Sequence, residues 1–177
     1  DEFVRARDNM VGYTEDIRQR IITDDADDIT INGKGRLAIN ANYNEGITSK
    51  NEIVISDSHI SINSVGNAIK GKDSTAINSA VININSQKDG IKSSNTEETE
   101  KGFVYIKNSD ITITSKEDGI QAESAVIADG DSKISIISGG GYTENTEYYK
   151  AVMWKWMILL DVATTIIVKT FKIVNIL

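Results

Sequence analysis

Asp89-Gly90-Ile91-Lys92-Ser93 decides the fold, because it returns along the chain. Variants stand at Glu45-Gly46-Ile47-Thr48-Ser49, Asn67-Ala68-Ile69-Lys70-Gly71 and Asp118-Gly119-Ile120-Gln121-Ala122. The central isoleucines fall at 47, 69, 91 and 120, so the spacings are 22, 22 and 29. The last spacing is the same 22 with seven residues inserted, and the polar run 95–101 supplies them. A fixed period in this range is the mark of a solenoid.

The residues between the anchors carry the same period. Six and eight residues after each anchor isoleucine stand Ile53/Ile55, Thr75/Ile77 and Val126/Ala128, and Val104/Ile106 once the insertion is discounted. Thirteen and fifteen residues after it stand Ile60/Ile62, Ile82/Ile84 and, with the same discount, Ile111/Ile113; Ile134/Ile136 comes one residue late. Apolar residues, mostly β-branched, at every second position predict two short strands per repeat, with one sharp turn at the anchor.

One such repeat is one turn of a parallel β-helix, in which strands of successive turns lie about 4.8 Å apart and equivalent side chains stack in columns. Isoleucine and valine fill the interior. Asn40, Asn63, Asn85 and Thr114 form a column after the second strand, followed by Ser64, Ser86, Ser115 and Ser138. The expected fold is all-β: a right-handed, single-stranded parallel β-helix of about five rungs.

The 177 residues suit one solenoid domain, and with no cysteine there is neither a disulfide scaffold nor a thiolate metal site. The net charge of −7 argues against nucleic acid and anionic membranes as partners, and is compatible with cations or neutral glycans. Residues 1–24 are polar, carry Arg5, Arg7, Arg18 and Arg20, and read as an N-terminal cap or irregular segment. Residues 25–142 are the β-helix, and the acidic insertion is expected to project as a flexible loop. Residues 143–177 form an atypical apolar tail without an anchor, expected to be a cap over the last rung or sequence from an altered reading frame. Lys155, Asp161, Lys169 and Lys172 interrupt it, so no uncharged run is long enough to span a bilayer.

The succession Asp28-Ile29-Thr30-Ile31-Asn32-Gly33, Asn42-Tyr43-Asn44-Glu45-Gly46-Ile47, Ala68-Ile69-Lys70-Gly71-Lys72-Asp73, Asp89-Gly90-Ile91-Lys92-Ser93, Gly102-Phe103-Val104-Tyr105-Ile106 and Asp118-Gly119-Ile120-Gln121-Ala122-Glu123 resembles a bacterial family of carbohydrate-binding domain-containing proteins. These are secreted or cell-surface parallel β-helices related in shape to polysaccharide lyases. The resemblance covers roughly residues 25–142. It implies binding of plant cell-wall polysaccharide, cellulose or pectic polymers, with calcium on the outside of the helix.

The residues themselves leave several chemistries open. Glu45, Asn67, Asp89 and Asp118 stack in one column, and stacked carboxylates repel unless a cation or proton lies between them. Calcium, with six to eight loosely arranged oxygen ligands, suits such a place, and Asp89, Asp118, Glu117, Glu123, Glu45 and Asp73 are its candidate ligands. The competing reading is that Asp or Asn before Gly simply shapes a turn, with the interleaved lysines balancing the charge. Sugar binding calls for aromatic faces with amide and hydroxyl partners, and the candidates are Tyr43, Tyr105, Tyr142, Lys70 and Lys92. Outward Ser61, Asn83, Thr112 and Ser135 offer a polar sheet face as well. An enzyme alternative, a calcium-assisted pectate-type lyase, would use Lys70 or Lys92 as base, although acidic neighbours keep a lysine protonated. A structural surface stalk needs no site. The expected function is a non-catalytic extracellular polysaccharide-binding module.

Overall fold

Each turn of the chain makes three strands where the periodicity predicted two. The third is the anchor itself, a tripeptide such as Ile91–Ser93 with its two ends buried and its centre facing out. Three residues are too few for alternation to register in a sequence, yet they pair in register with the anchors of the turns on either side. The computed structural model describes residues 27–139 throughout and, beyond them, the backbone of four further strand segments.

The strands sort into three parallel sheets. The anchor sheet holds β1 (Ile21–Ile22), β4 (Ile47–Ser49), β7 (Ile69–Gly71), β10 (Ile91–Ser93), β13 (Ile120–Ala122) and β16 (Val152–Met153). The second holds β2 (Asp28–Asn32), β5 (Glu52–Ser56), β8 (Ser74–Asn78), β11 (Phe103–Lys107), β14 (Ala125–Asp129) and β17 (Trp156–Leu159). The third holds β3 (Arg36–Ala41), β6 (His59–Ser64), β9 (Val81–Ser86), β12 (Asp110–Ser115), β15 (Lys133–Ser138) and β18 (Thr165–Thr170). The result is a parallel β-solenoid of about 5 turns with about 23 residues per turn.

The interior follows from the register. Ile47, Ile69, Ile91 and Ile120 stack as one buried column. Ile55, Ile77, Ile106 and Ala128 make a second, and Ile60, Ile82, Ile111 and Ile134 a third. Ile134 arrives one residue late in the sequence, and the turn at Gly130 absorbs the extra residue, so the pairing with Ile111 is kept.

Two corners hold this register. Between the second and third sheets the chain takes a left-handed residue in turn after turn: Asp57 (φ 53°), Ser79 (φ 53°), Asn108 (φ 47°) and Gly130 (φ 60°). Short polar residues and glycine accept that conformation where β-branched ones do not. Behind this bend Ser58 and Ser109 are buried, and each hydroxyl donates to the carbonyl two residues earlier, at 2.6 Å. Between the third sheet and the anchor sheet the buried Ser64, Ser86 and Ser115 donate to the carbonyls of Gly66, Lys88 and Glu117. The outward Asn40, Asn63 and Asn85 form the expected ladder, with amide bonds of 3.0 and 3.4 Å.

The insertion projects as expected, with residues 96–100 exposed, and polar groups tie it down at both ends. Asn95 donates from its amide to Asp73 Oδ1 at 2.6 Å and accepts the backbone N–H groups of Glu97 and Glu98. Lys101 closes the loop, 2.9 Å from Asp73 Oδ2 and 2.8 Å from Glu98 Oε1. An asparagine opening a polar run was the available sign, since its side chain caps the turn that follows.

The period also extends beyond the regular region. Within the N-terminal segment set apart at 1–24, Ile21 pairs with Ile47. Within the tail set apart at 143–177, Val152 stands opposite Ile120, Val126 opposite Met157, and Ile134 opposite Ile166. These three tail segments take the order and the sheets of one further rung. The other residues of the two end segments, with Tyr142, lie outside the described residues.

Candidate functional site

The acidic column is built from backbone turns. Asn67 Oδ1 accepts the N–H of Asp89 at 3.1 Å, and Asp89 Oδ1 accepts the N–H of Asp118 at 3.0 Å. Asn67 and Asp89 therefore each hold the backbone of the next turn. Asp89 Oδ2 lies 2.9 Å from the Lys92 ammonium. At the head of the column Asn67 Nδ2 donates to Glu45 Oε1 at 3.5 Å.

The carboxylates expected to hold calcium do not converge. Asp89 and Asp118 are neighbours in the column, both buried, and Asp89 has one oxygen on a backbone N–H and the other on an ammonium. Asp73 lies at the opposite end of the anchor strand, held by Asn95 and Lys101. The Asn95 amide in particular keeps its carboxyl below the usual range, with the Lys101 ammonium helping against the cost of burial. Glu123 sits half-buried after β13, and Glu45 two turns before Asp89. Among the described residues no group of three or more His, Cys, Asp or Glu is placed to hold a metal ion. As placed, Asp89 and Asp73 are engaged by N–H groups and lysine ammonium groups, the arrangement of a charge-balanced turn column.

The lysines weighed as a lyase base stand on the outer face of the anchor sheet, Lys92 opposite Lys70 on adjacent turns. Lys92 is ion-paired with Asp89, whereas a general base needs a free lone pair.

Tyr105 lies elsewhere, on the outer face of the second sheet, in register with Ala76 on one side and Ile127 on the other. Its hydroxyl donates to Asp129 Oδ2 at 2.9 Å, and the Lys107 ammonium reaches the same carboxylate at 3.3 Å. The N–H of Gly130 fixes Asp129 Oδ1 at 2.8 Å. These donors, Tyr105 first, hold the Asp129 carboxyl below its usual range, and the carboxylate in turn raises the pKa of Tyr105 and Lys107. Around this group Val54, Ala76, Phe103 and Ile127 face outward, each only partly buried. The face thus joins a pinned aromatic ring, an apolar strip and a charged hydrogen-bonding edge.

Sequence reading found Tyr105 and missed Phe103, Lys107 and Asp129. Phe103 and Lys107 were legible as outward neighbours of Val104 and Ile106. Asp129 lies 24 residues after Tyr105, one turn and two residues further on along the same sheet, and only the register brings it back. Tyr43 stands apart from both groups, 88 % exposed in the turn after β3.

The class that the fold defines is the parallel β-solenoid, here with polar and aromatic groups on its outer faces. The match to known proteins is narrower. The family model described as "Carbohydrate-binding domain-containing protein" matches residues 10–173, and the chain belongs to that family. A carbohydrate-binding domain-containing protein of Acetivibrio thermocellus is 42% identical over 111 residues, which make up 62% of this chain and 39% of that one. The solved structure of a polysaccharide lyase-like protein from C. thermocellum, a gadolinium derivative, aligns with a TM-score of 0.65 at 31% identity, over 79% of this chain and 52% of the other. The chain therefore spans about two-fifths to one-half of the length of these relatives.

Proposed function

We propose that this chain is a non-catalytic polysaccharide-binding module that holds an extended glycan against the outer face of the second sheet. The observation that carries the reading is Tyr105, its hydroxyl pinned by Asp129 and its ring set in a half-exposed apolar strip. Sugar rings present apolar C–H faces and hydroxyl rims, and an immobilised aromatic ring beside a carboxylate and an ammonium matches both. Because hydrogen bonds already hold Tyr105, Lys107 and Asp129, little side-chain entropy is left to lose on binding. Family membership supports a carbohydrate ligand, and a plant cell-wall polymer met outside the cell is the specific form proposed here.

The test is adsorption of the full chain to insoluble cellulose and to pectate gel, compared with Tyr105→Ala and Tyr105→Phe. Tyr105→Ala is expected to weaken binding about tenfold, the scale of one lost aromatic contact. Tyr105→Phe keeps the ring and loses the bond to Asp129, so an intermediate effect is expected. Undiminished binding by Tyr105→Ala would remove the second sheet from consideration. An intact chain that holds no glycan would end the carbohydrate reading.

A further inference from the structure

We infer that the outer face of the third sheet is a second carbohydrate site, one that takes the surface of an insoluble, uncharged polysaccharide and not a single dissolved chain. This rests on the carbohydrate reading and goes beyond it, because it concerns a different face and a different physical form of ligand.

The argument starts from register. Ser61, Asn83, Thr112 and Ser135 form one outward column, and Asn40, Asn63, Asn85 and Thr114 form the next. Turns repeat about every 4.8 Å and same-face residues of one strand about every 6.7 Å, so the two columns rule a lattice of hydroxyls and amides. The lattice is pre-set. Asn63 donates one N–H to Asn40 and accepts one from Asn85, leaving its second N–H and a carbonyl lone pair for a ligand. Serine, threonine and a laddered asparagine lose little rotamer freedom when they bind.

Each such group is a weak contact in water, and the gain comes from engaging many at once. A dissolved chain meets one row. A solid in which chains lie side by side meets the whole lattice, with one immobilisation cost for all the contacts.

Charge narrows the partner further. None of these eight residues is ionisable; the second column runs on through Ile137 and reaches a charged residue only at Lys169, in the sixth rung. Arg36, His59, Asp110 and Lys133 are confined to the adjoining column at one edge. Past the other edge, just after Asn40, stands Tyr43, 88 % exposed, with Val65 also exposed in the turn after β6. An aromatic ring left in water beside a row of amides is the usual complement of a sugar surface.

The experiment compares adsorption of the full chain to microcrystalline cellulose with calorimetric binding of a soluble cello-oligosaccharide. The variants are Asn83→Glu, Thr112→Glu and Tyr105→Ala, each checked by thermal melting. Both glutamate positions are exposed on the sheet face, so the fold is expected to survive. The expected result is at least a tenfold loss of adsorption in Asn83→Glu and Thr112→Glu with soluble binding unchanged, whereas Tyr105→Ala weakens binding of the soluble and the insoluble glycan alike. Should both glutamate variants adsorb like the parent, or lose both ligands equally, the third face is not a separate site. Adsorption of the parent to charged pectate alone would overturn the uncharged partner. Ice-crystal shaping without polymer adsorption would overturn the glycan in favour of ordered water. A parent that binds neither solid nor soluble glycan fails at the earlier step, the carbohydrate reading itself.

Discussion

At the scale of single residues, the two buried carboxylates Asp89 and Asp73 do structural work that their sequence context half conceals. Asp89 accepts the N–H of Asp118, and Asn67 does the same for Asp89 with a neutral amide. Asparagine is therefore a working substitute within this chain. Asp89→Asn is expected to cost less than about 1 kcal/mol, the loss of the Lys92 pair. Asp89→Ala strands a buried N–H and is expected to cost about 1–3 kcal/mol. Urea melts of the two variants check the order, and equal losses would mean that the ion pair and not the turn is what Asp89 supplies. Asp73 adds a pH dependence. Its folded pKa lies below the ordinary carboxyl value of 3.8, so its contribution is fully present above that value and lost as pH falls through the folded pKa. Asp129 follows the same sign. Melting temperature is expected to fall steeply below about pH 4, and less steeply in Asp73→Asn, whose amide has no such proton to take up.

At the scale of the element, the rung is held by close approach as much as by burial. A Cβ on Gly90 would stand 2.4 Å from the Gly119 carbonyl oxygen and 2.5 Å from Ile113 Cγ2. One turn earlier Ala68 occupies the matching place, so the column has room for a methyl only where its neighbours leave it. Gly90→Ala is expected to destabilise the protein by about 1–3 kcal/mol, the range of overpacking, by moving the backbone of the next turn. Circular dichroism melts measure it, and a neutral result would show that the anchor sheet shifts freely. Gly130 adds a backbone reason to the same steric one. It sits at φ 60° in a corner where Asp57, Ser79 and Asn108 take similar angles, and a Cβ there would also run into Asn108 Oδ1.

At the scale of the molecule, the solenoid and its interior columns were legible because β-branched residues recur at fixed spacing, and the pairing of Ile53, Thr75, Val104 and Val126 follows directly from counting. The anchor strands escaped notice because three residues carry no period. The left-handed corner escaped because Asp57, Ser79, Asn108 and Gly130 share a backbone angle and no single residue type. The candidate site was legible only in part. Outward aromatics can be counted along a strand, but Asp129 reaches Tyr105 through the stacking of turns.

The same stacking governs what a cation would meet. Repeated carboxylates read as a metal ladder when taken as a list of acids, yet Asp89 and Asp73 each have one oxygen on an N–H group and the other on a lysine. A calcium ion would have to displace lysine ammonium groups from both and draw together carboxylates held at different corners. Binding to the native state alone would raise stability with ligand concentration. The arrangement here predicts no saturable heat on calcium titration of the full chain and no change in melting temperature with chelator. If a saturable shift does occur and is lost in Asp89→Asn but not in Asp73→Asn, the anchor column rearranges around the ion and its turn bonds are the weaker of two states. The converse pattern would place the ion at the insertion, where Lys101 would have to leave Asp73, and Glu98 with Asp73 would then become the ligands to examine.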